Sequence, residues 1–241
     1  MIETPMIETP MIETPTIETL DGKKIRAFVA RPTGTPKAAV LVVQEIFGVN
    51  PHMQWVIAEQ FARAGYLAIA PSFFDRITGF GEGAQSNSLA YTEADTAKGR
   101  AWVDVIGMDN PMRDLRAAKD QLAAGLPAGV VGYCWGGSVA FLSATRLGLP
   151  AVSYYGGRTV PYLHESPQAP LMLHFGESDH LITPATVAAT QAALLRTAPA
   201  AQSYVYPAGH GFNRTGSADF HSTSAELALA RTLAFFGEHL K

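Results

Sequence analysis

Apolar residues along this chain fall into short runs separated by stretches of helical spacing. Ala38 to Val43 is a continuous, valine-rich run, and Tyr66 to Ala70, Gly129 to Val131, Ala151 to Tyr155 and Leu171 to Phe175 are further short ones. Runs of this length without strict alternation predict strands covered on both faces. Gln202 to Tyr206 reads as a more polar strand. Between them, apolar positions at helical spacing predict helices over Pro51 to Ala64, closed by Gly65, and over Met112 to Ala124, Ser138 to Arg146, Pro184 to Thr197 and Ala225 to Leu240. Strand and helix in alternation predict a mostly parallel sheet with helices on both faces and functional groups at the carboxyl ends of strands. The interval from Arg76 to about Arg100 is different, being rich in glycine and polar residues with little helical signal. A connection that long is functional or mobile. It reads equally as a wall of a pocket or as a solvated excursion.

The chain opens on a repeat: Met1-Ile2-Glu3-Thr4-Pro5 recurs at Met6 and Met11, followed by an imperfect copy at Thr16 to Leu20. A proline in each full copy prevents helix propagation, and a five-residue period is far shorter than a solenoid repeat. Only the last copy reads as structural, because Thr16 to Leu20 and Lys24 to Ala30 flank the hairpin signal Asp21-Gly22. Residues 1–15 are therefore expected to lie outside the fold, with one domain over 16–241.

Length and composition fit that division. A chain of 241 residues, 47% hydrophobic and 16% charged, can bury one substantial α/β core. A net charge of -3 leaves no basic stripe for phosphates, which argues against nucleic acid as a partner and towards a small molecule. No apolar run reaches the ~18 residues that span a bilayer, and no secretory signal pattern opens the chain, so no membrane is expected and the cytoplasm is the default compartment. A single cysteine excludes an internal disulfide and suits a reducing environment. Monomer is the default assembly.

That cysteine carries the chemistry. Cys134 stands at the centre of Gly132-Tyr133-Cys134-Trp135-Gly136-Gly137, directly after a predicted strand and before a predicted helix. Flanking glycines permit a sharp strand-to-helix elbow that projects a nucleophile from the sheet, and the helix N-terminus behind it favours a thiolate. Without that context a lone cysteine is a small buried hydrophobe. A thiol nucleophile needs a base, and the base needs an orienting carboxylate. Of seven histidines, His210 is the strongest candidate, since it follows a strand and sits between Gly209 and Gly211. His174 lies inside a strand and reads as a core residue; His52, His164, His180, His221 and His239 lack a matching context. For the acid, Gly176-Glu177-Ser178-Asp179-His180 follows a strand and offers Asp179, whose alternative role is to cap the next turn. Nucleophile, acid and histidine follow one another in the chain order of α/β-hydrolases.

These motifs, with Gln44-Glu45-Ile46-Phe47-Gly48-Val49-Asn50 and Ala208-Gly209-His210-Gly211-Phe212, resemble those of the dienelactone hydrolases, a cysteine-using branch of the α/β-hydrolase superfamily. The resemblance spans Thr16 to the C-terminus. It implies an α/β-hydrolase fold with no large cap domain, Cys134 as nucleophile, His210 as base and Asp179 as orienting acid. It further implies an oxyanion hole from the amides of Ile46 and Trp135, and a Glu45 beside the thiol that takes part in activating it once substrate arrives. Burial is expected to raise the pKa of that carboxylate. Arg214 becomes a candidate clamp for a substrate carboxylate, with a merely solvated surface arginine as the rival reading. The family's second arginine has no clean counterpart near Thr96-Ala97-Lys98-Gly99-Arg100, which leaves Arg76 or Arg100 as substitutes.

The implied activity is hydrolysis of a lactone or ester of a small anionic unsaturated acid through a cysteine acyl-enzyme. Trp135, Phe47 and Phe212 suggest a pocket for a flat ligand, or plain packing. No cofactor and no metal is expected, since the chain shows neither H-E-x-x-H, nor clustered Cys and His, nor G-x-G-x-x-G after a strand. A non-catalytic binder of small acids on the same fold is the alternative, and a thiol redox sensor, which would lack a resolving cysteine, comes last.

Overall fold

All five residues of the strand Ala39–Val43 are buried, as are all six of Ala128–Tyr133, which pairs with it in parallel register. These two strands form the middle of the sheet. The computed structural model describes residues 10–79 and 87–241. In chain order its strands are β1 (Met11–Glu13), β2 (Thr16–Glu18), β3 (Lys24–Arg31), β4 (Ala39–Val43), β5 (Leu67–Pro71), β6 (Ala128–Tyr133), β7 (Ala151–Tyr154), β8 (Leu171–Gly176) and β9 (Gln202–Tyr206). Its helices are α1 (Pro51–Trp55), α2 (Asp75–Thr78), α3 (Glu93–Ile106), α4 (Asp109–Leu122), α5 (Trp135–Arg146), α6 (Pro184–Thr197) and α7 (Ser222–His239).

The spatial order is β1-β3-β5-β4-β6-β7-β8-β9, with β2 attached to β3. From β5 to β9 every pairing is parallel, and β3 joins β5 antiparallel. The expected strands and mostly parallel sheet are all present. The chain leaves β4 towards β5 on one side and reaches β6 on the other, so the switch point lies between β4 and β6. In open parallel sheets the crevice at that point, beyond the carboxyl ends of the strands, is the natural ligand site. Helices cover both faces. On one, Phe236 of α7 packs against Phe61 and Tyr66 beside β5; on the other, α4 and α5 pack against each other and the central strands. No helix among the described residues is long and apolar enough to cross a membrane.

Three segments differ from the sequence expectation. Met11–Glu13, in the third repeat copy, pairs antiparallel with β3 from Met11 opposite Arg31, so the ladder begins ahead of Thr16. Met11 and Ile12 stay exposed, and this strand adds hydrogen bonds rather than core. The helix expected over Pro51 to Ala64 is α-helical only to Trp55 and continues as a wider π-helix over Val56–Ala62. The interval from Arg76 to Arg100 contains the start of α3, capped by the Thr92 hydroxyl accepting from the Asp95 amide at 3.1 Å. Its inner face buries only Gly99, Val103 and Ile106. A glycine where an apolar residue would announce the helix explains the weak pattern.

Arg76 is taken up by a structural ion-pair network. Its guanidinium is bound to Asp114 at 2.8 and 2.6 Å and to Asp21 at 2.9 Å, tying α2 and α4 to the turn before β3. It is therefore no substitute for a substrate-binding arginine. Burial pushes the Asp114 carboxyl up and Arg76 opposes it. Arg76→Ala leaves a fully buried carboxylate without its partner and is expected to lower stability by about 3 kcal/mol. Urea unfolding checks this, and a loss under about 0.5 kcal/mol contradicts it.

Candidate active site

Cys134 joins the last residue of β6 to the first of α5, with φ 56° and ψ −118°. A non-glycine residue in this region carries backbone strain of order 1 kcal/mol or more and needs surroundings that impose it. The neighbouring glycines supply that condition. A Cβ on Gly132 would overlap the carbonyl oxygen of Gly136, and one on Gly136 would come within 2.5 Å of the carbonyl oxygens of Val43 and Gln44. The helix can fold back over β6 and β4 only because both positions are bare. The Cys134 amide donates to the Tyr154 carbonyl at 3.0 Å, pinning the elbow to β7.

The loops after β8 and β9 bring the other two expected residues to the sulfur. His210 Nε2 lies 3.2 Å from Cys134 Sγ, and His210 Nδ1 donates to Asp179 Oδ2 at 2.8 Å. The other carboxylate oxygen, Asp179 Oδ1, accepts from the amides of Leu181 at 2.8 Å and Ile182 at 3.0 Å. One oxygen of Asp179 thus caps the turn and the other meets the imidazole. The Tyr155 ring packs on His210 at 5.1 Å between centroids. Burial disfavours a charged imidazole, yet the bonds to Asp179 and Cys134 outweigh it and push His210 up to about 10.

Glu45 is almost fully buried, and both its oxygens face Arg214: Nε donates to Oε2 at 2.8 Å and Nη2 to Oε1 at 3.0 Å. Arg214 is buried too, packed against the touching rings of Phe47 at 5.2 Å and Tyr91 at 5.1 Å, which settles it as no solvated surface arginine. The expected upward shift of Glu45 is reversed. Burial does raise it, but Arg214, and more weakly His52 and His210, bring the net shift below the ordinary carboxylate value. Among the described residues Glu45 makes no hydrogen bond to Cys134.

A cavity of about 750 Å³ opens over Cys134, lined among others by Ile46, Trp135, His210 and Arg214. Trp135 is the first residue of α5, so its amide has no acceptor within the helix and is free for a ligand oxygen. Arg100 and Phe47 also reach the wall. Phe212 does not: it is fully buried against Tyr155 and Tyr206 and serves as packing. His180 lines the wall 6.2 Å from the His210 ring without joining the chain of bonds. His174 is a core residue held by Tyr206 and Thr232, with burial pushing it down to about 3. His52 is a buried structural residue bonded to Thr215 at 3.0 Å. Sequence reasoning missed Tyr91 and Arg158 on the wall. Nothing marks Tyr91, and Arg158 could have been found as a cation just past the strand end at Tyr154.

His210 has a definite pH signature. Its folded pKa lies above its unfolded one, so its protonation contributes stability that is fully present below about pH 6.5 and is lost as pH rises through about 10. Nitrogen NMR of the imidazole is expected to show a doubly protonated ring at pH 8 that titrates near 10. A ring already neutral at pH 7.5 contradicts the pairing.

Sequence and structure comparisons bear on the family and the fold. The model of the dienelactone hydrolase family matches residues 25–240. A carboxymethylenebutenolidase of Pseudomonas putida is 30% identical over 89% of this chain and 92% of its own length. Another, from Pseudomonas sp. strain P51, is 31% identical over 88% and 89%. A solved structure from Klebsiella pneumoniae subsp. pneumoniae, provisionally named a dienelactone hydrolase, is 28% identical with a TM-score of 0.83, covering 96% of this chain and 100% of that one. The fold, the order of the elbow, acid and histidine, and the match across residues 25–240 lead to one conclusion: the chain belongs to the dienelactone hydrolase family.

Proposed function

We propose that this protein hydrolyses a lactone or ester of a small anionic acid through an acyl-thioester on Cys134. The observation that carries this reading is the unbroken contact from Asp179 through His210 to a strained sulfur facing the cavity. Membership of a hydrolase family supports the reaction class.

The Cys134 sulfur attacks the carbonyl carbon, forming a C–S bond while the C=O electron pair moves to oxygen. The amides of Ile46 and Trp135 stabilise that oxyanion, and each such donor is worth ~3 kcal/mol of barrier. Collapse breaks the C–O bond, and the departing alkoxide takes a proton from His210; in a lactone it stays attached to the acyl group. Water then attacks the thioester and gives one proton to His210; collapse releases the acid, and the departing sulfur takes back the proton held by Glu45, which returns to Arg214 as the carboxylate.

Glu45 and Arg214 couple this chemistry to substrate charge. In the resting site their charges satisfy each other, and a buried pair broken on one side leaves an uncompensated charge. A substrate carboxylate takes the place of Glu45 on the guanidinium, and the released Glu45 carboxylate accepts the thiol proton as the sulfur attacks. An anionic group thereby promotes its own turnover, while a neutral ester leaves the resting pair intact.

Rapid quenching during turnover of an aryl ester is expected to show Cys134 heavier by the acyl group, and Cys134→Ala is expected to lose at least about 10³-fold in kcat. Ligand binding without product or adduct would instead favour a non-catalytic binder, and wild-type rates in Cys134→Ala would refute the nucleophile.

A further inference from the structure

One wall of the cavity is built along α3. Tyr91, just ahead of its N-cap, packs on Arg214 at one end of the cavity. Thr96 and Arg100 follow on the cavity side, one helical turn apart. Arg100 lies eight positions after the Thr92 cap, about 12 Å along the axis. One turn further, Asp104 pairs with the guanidinium of Arg158, which also lines the cavity from the loop after β7. The cavity therefore carries cations at two places along α3, with the Arg214 end separated from the Arg100 and Arg158 end.

The two ends differ in how firmly their charge is held. Arg214 is buried and bound bidentately by Glu45. Arg158 is 42% exposed and its partner Asp104 61% exposed, and an ion pair this open is held weakly. Arg100 is exposed and makes no ion pair among the described residues. The Arg158 backbone is nevertheless fixed, since its amide donates to the buried Ser138 hydroxyl at 2.8 Å and the adjoining Thr159 hydroxyl bonds the Gly156 carbonyl at 3.0 Å. A guanidinium on an anchored loop, with a partner that is easily exchanged, suits capture of a ligand carboxylate. Among the described residues Asp219, at 3.5 Å from Arg214, is the acidic side chain on the cavity wall, and it lies at the Arg214 end.

We propose that Arg158, assisted by Arg100, forms a second carboxylate subsite, so that the preferred substrate is an ester or lactone bearing two acidic groups, one directed to Arg214 and one to this end of α3. The proposal rests on Cys134 acting as an ester-cleaving nucleophile for its kinetic readout, but not for its binding readout.

The test has two arms. In the first, kcat/KM is measured for a neutral aryl ester and for the aryl hemiester of a dicarboxylic acid whose aryl group bears a second carboxylate. Arg158→Gln is expected to lower the dianion-to-neutral ratio of kcat/KM at least 5-fold, and Arg100→Gln to lower it by a smaller factor. In the second arm, a linear dicarboxylic acid is titrated into Cys134→Ala and into Cys134→Ala with Arg158→Gln, and the second protein is expected to bind at least 5-fold more weakly. Equal binding in the two proteins overturns the subsite even if esters are turned over. A loss of binding in a protein that hydrolyses no ester supports the subsite and counts against the hydrolytic reading alone.

Discussion

Cys134 is held at φ 56° because the strand before it and the helix after it cannot turn back on each other by any gentler path. That constraint reaches outward in two directions. It requires bare backbone at Gly132 and Gly136, since side chains there would collide with the main chain of α5 and β4. It also aims the sulfur at the crevice where the loops after β4, β8 and β9 meet. The strain stored at one residue is the local expression of a global arrangement, a parallel sheet whose connections diverge between β4 and β6.

Around that fixed point the site separates two electrostatic tasks. Asp179 and His210 form one pair, in which the carboxylate is itself tethered by two amides and keeps the imidazole oriented. Glu45 and Arg214 form the other, buried beside the first and closed on itself. Burial alone raises the Glu45 carboxyl, but a bidentate guanidinium packed against two aromatic rings outweighs it and brings it below the ordinary carboxylate value. The charge of Arg214 is thus firmly engaged before any ligand arrives, whereas Arg158 shares its charge only with the exposed Asp104, and Arg100 lies exposed on the same wall.

Much of this was legible in the sequence because it rests on local rules. Continuous apolar runs marked β4 and β6 through their burial on both faces, the glycines around Cys134 marked the elbow, and Asp179 and His210 followed strand ends in the order that a common sheet rim demands. What escaped was tertiary. The helix α3 gives little periodic signal because Gly99 occupies its inner face, where a Cβ would overlap the Ile46 carbonyl oxygen. The edge strand Met11–Glu13 has an exposed sequence that only its partner β3 makes a strand. Arg76 and Arg100 were indistinguishable as letters, and only the packing shows one locked against Asp114 and the other facing the cavity.

Catalysis here requires Asp179, His210 and Cys134 to act as one chain, and kcat/KM of Asp179→Asn on an aryl ester tests that most directly. An amide in place of the carboxylate keeps the shape but stabilises the wrong imidazole tautomer, so a fall of about 10³- to 10⁴-fold is expected in a protein that still folds. A loss smaller than about tenfold would contradict the chain and, with it, the catalytic reading of the site.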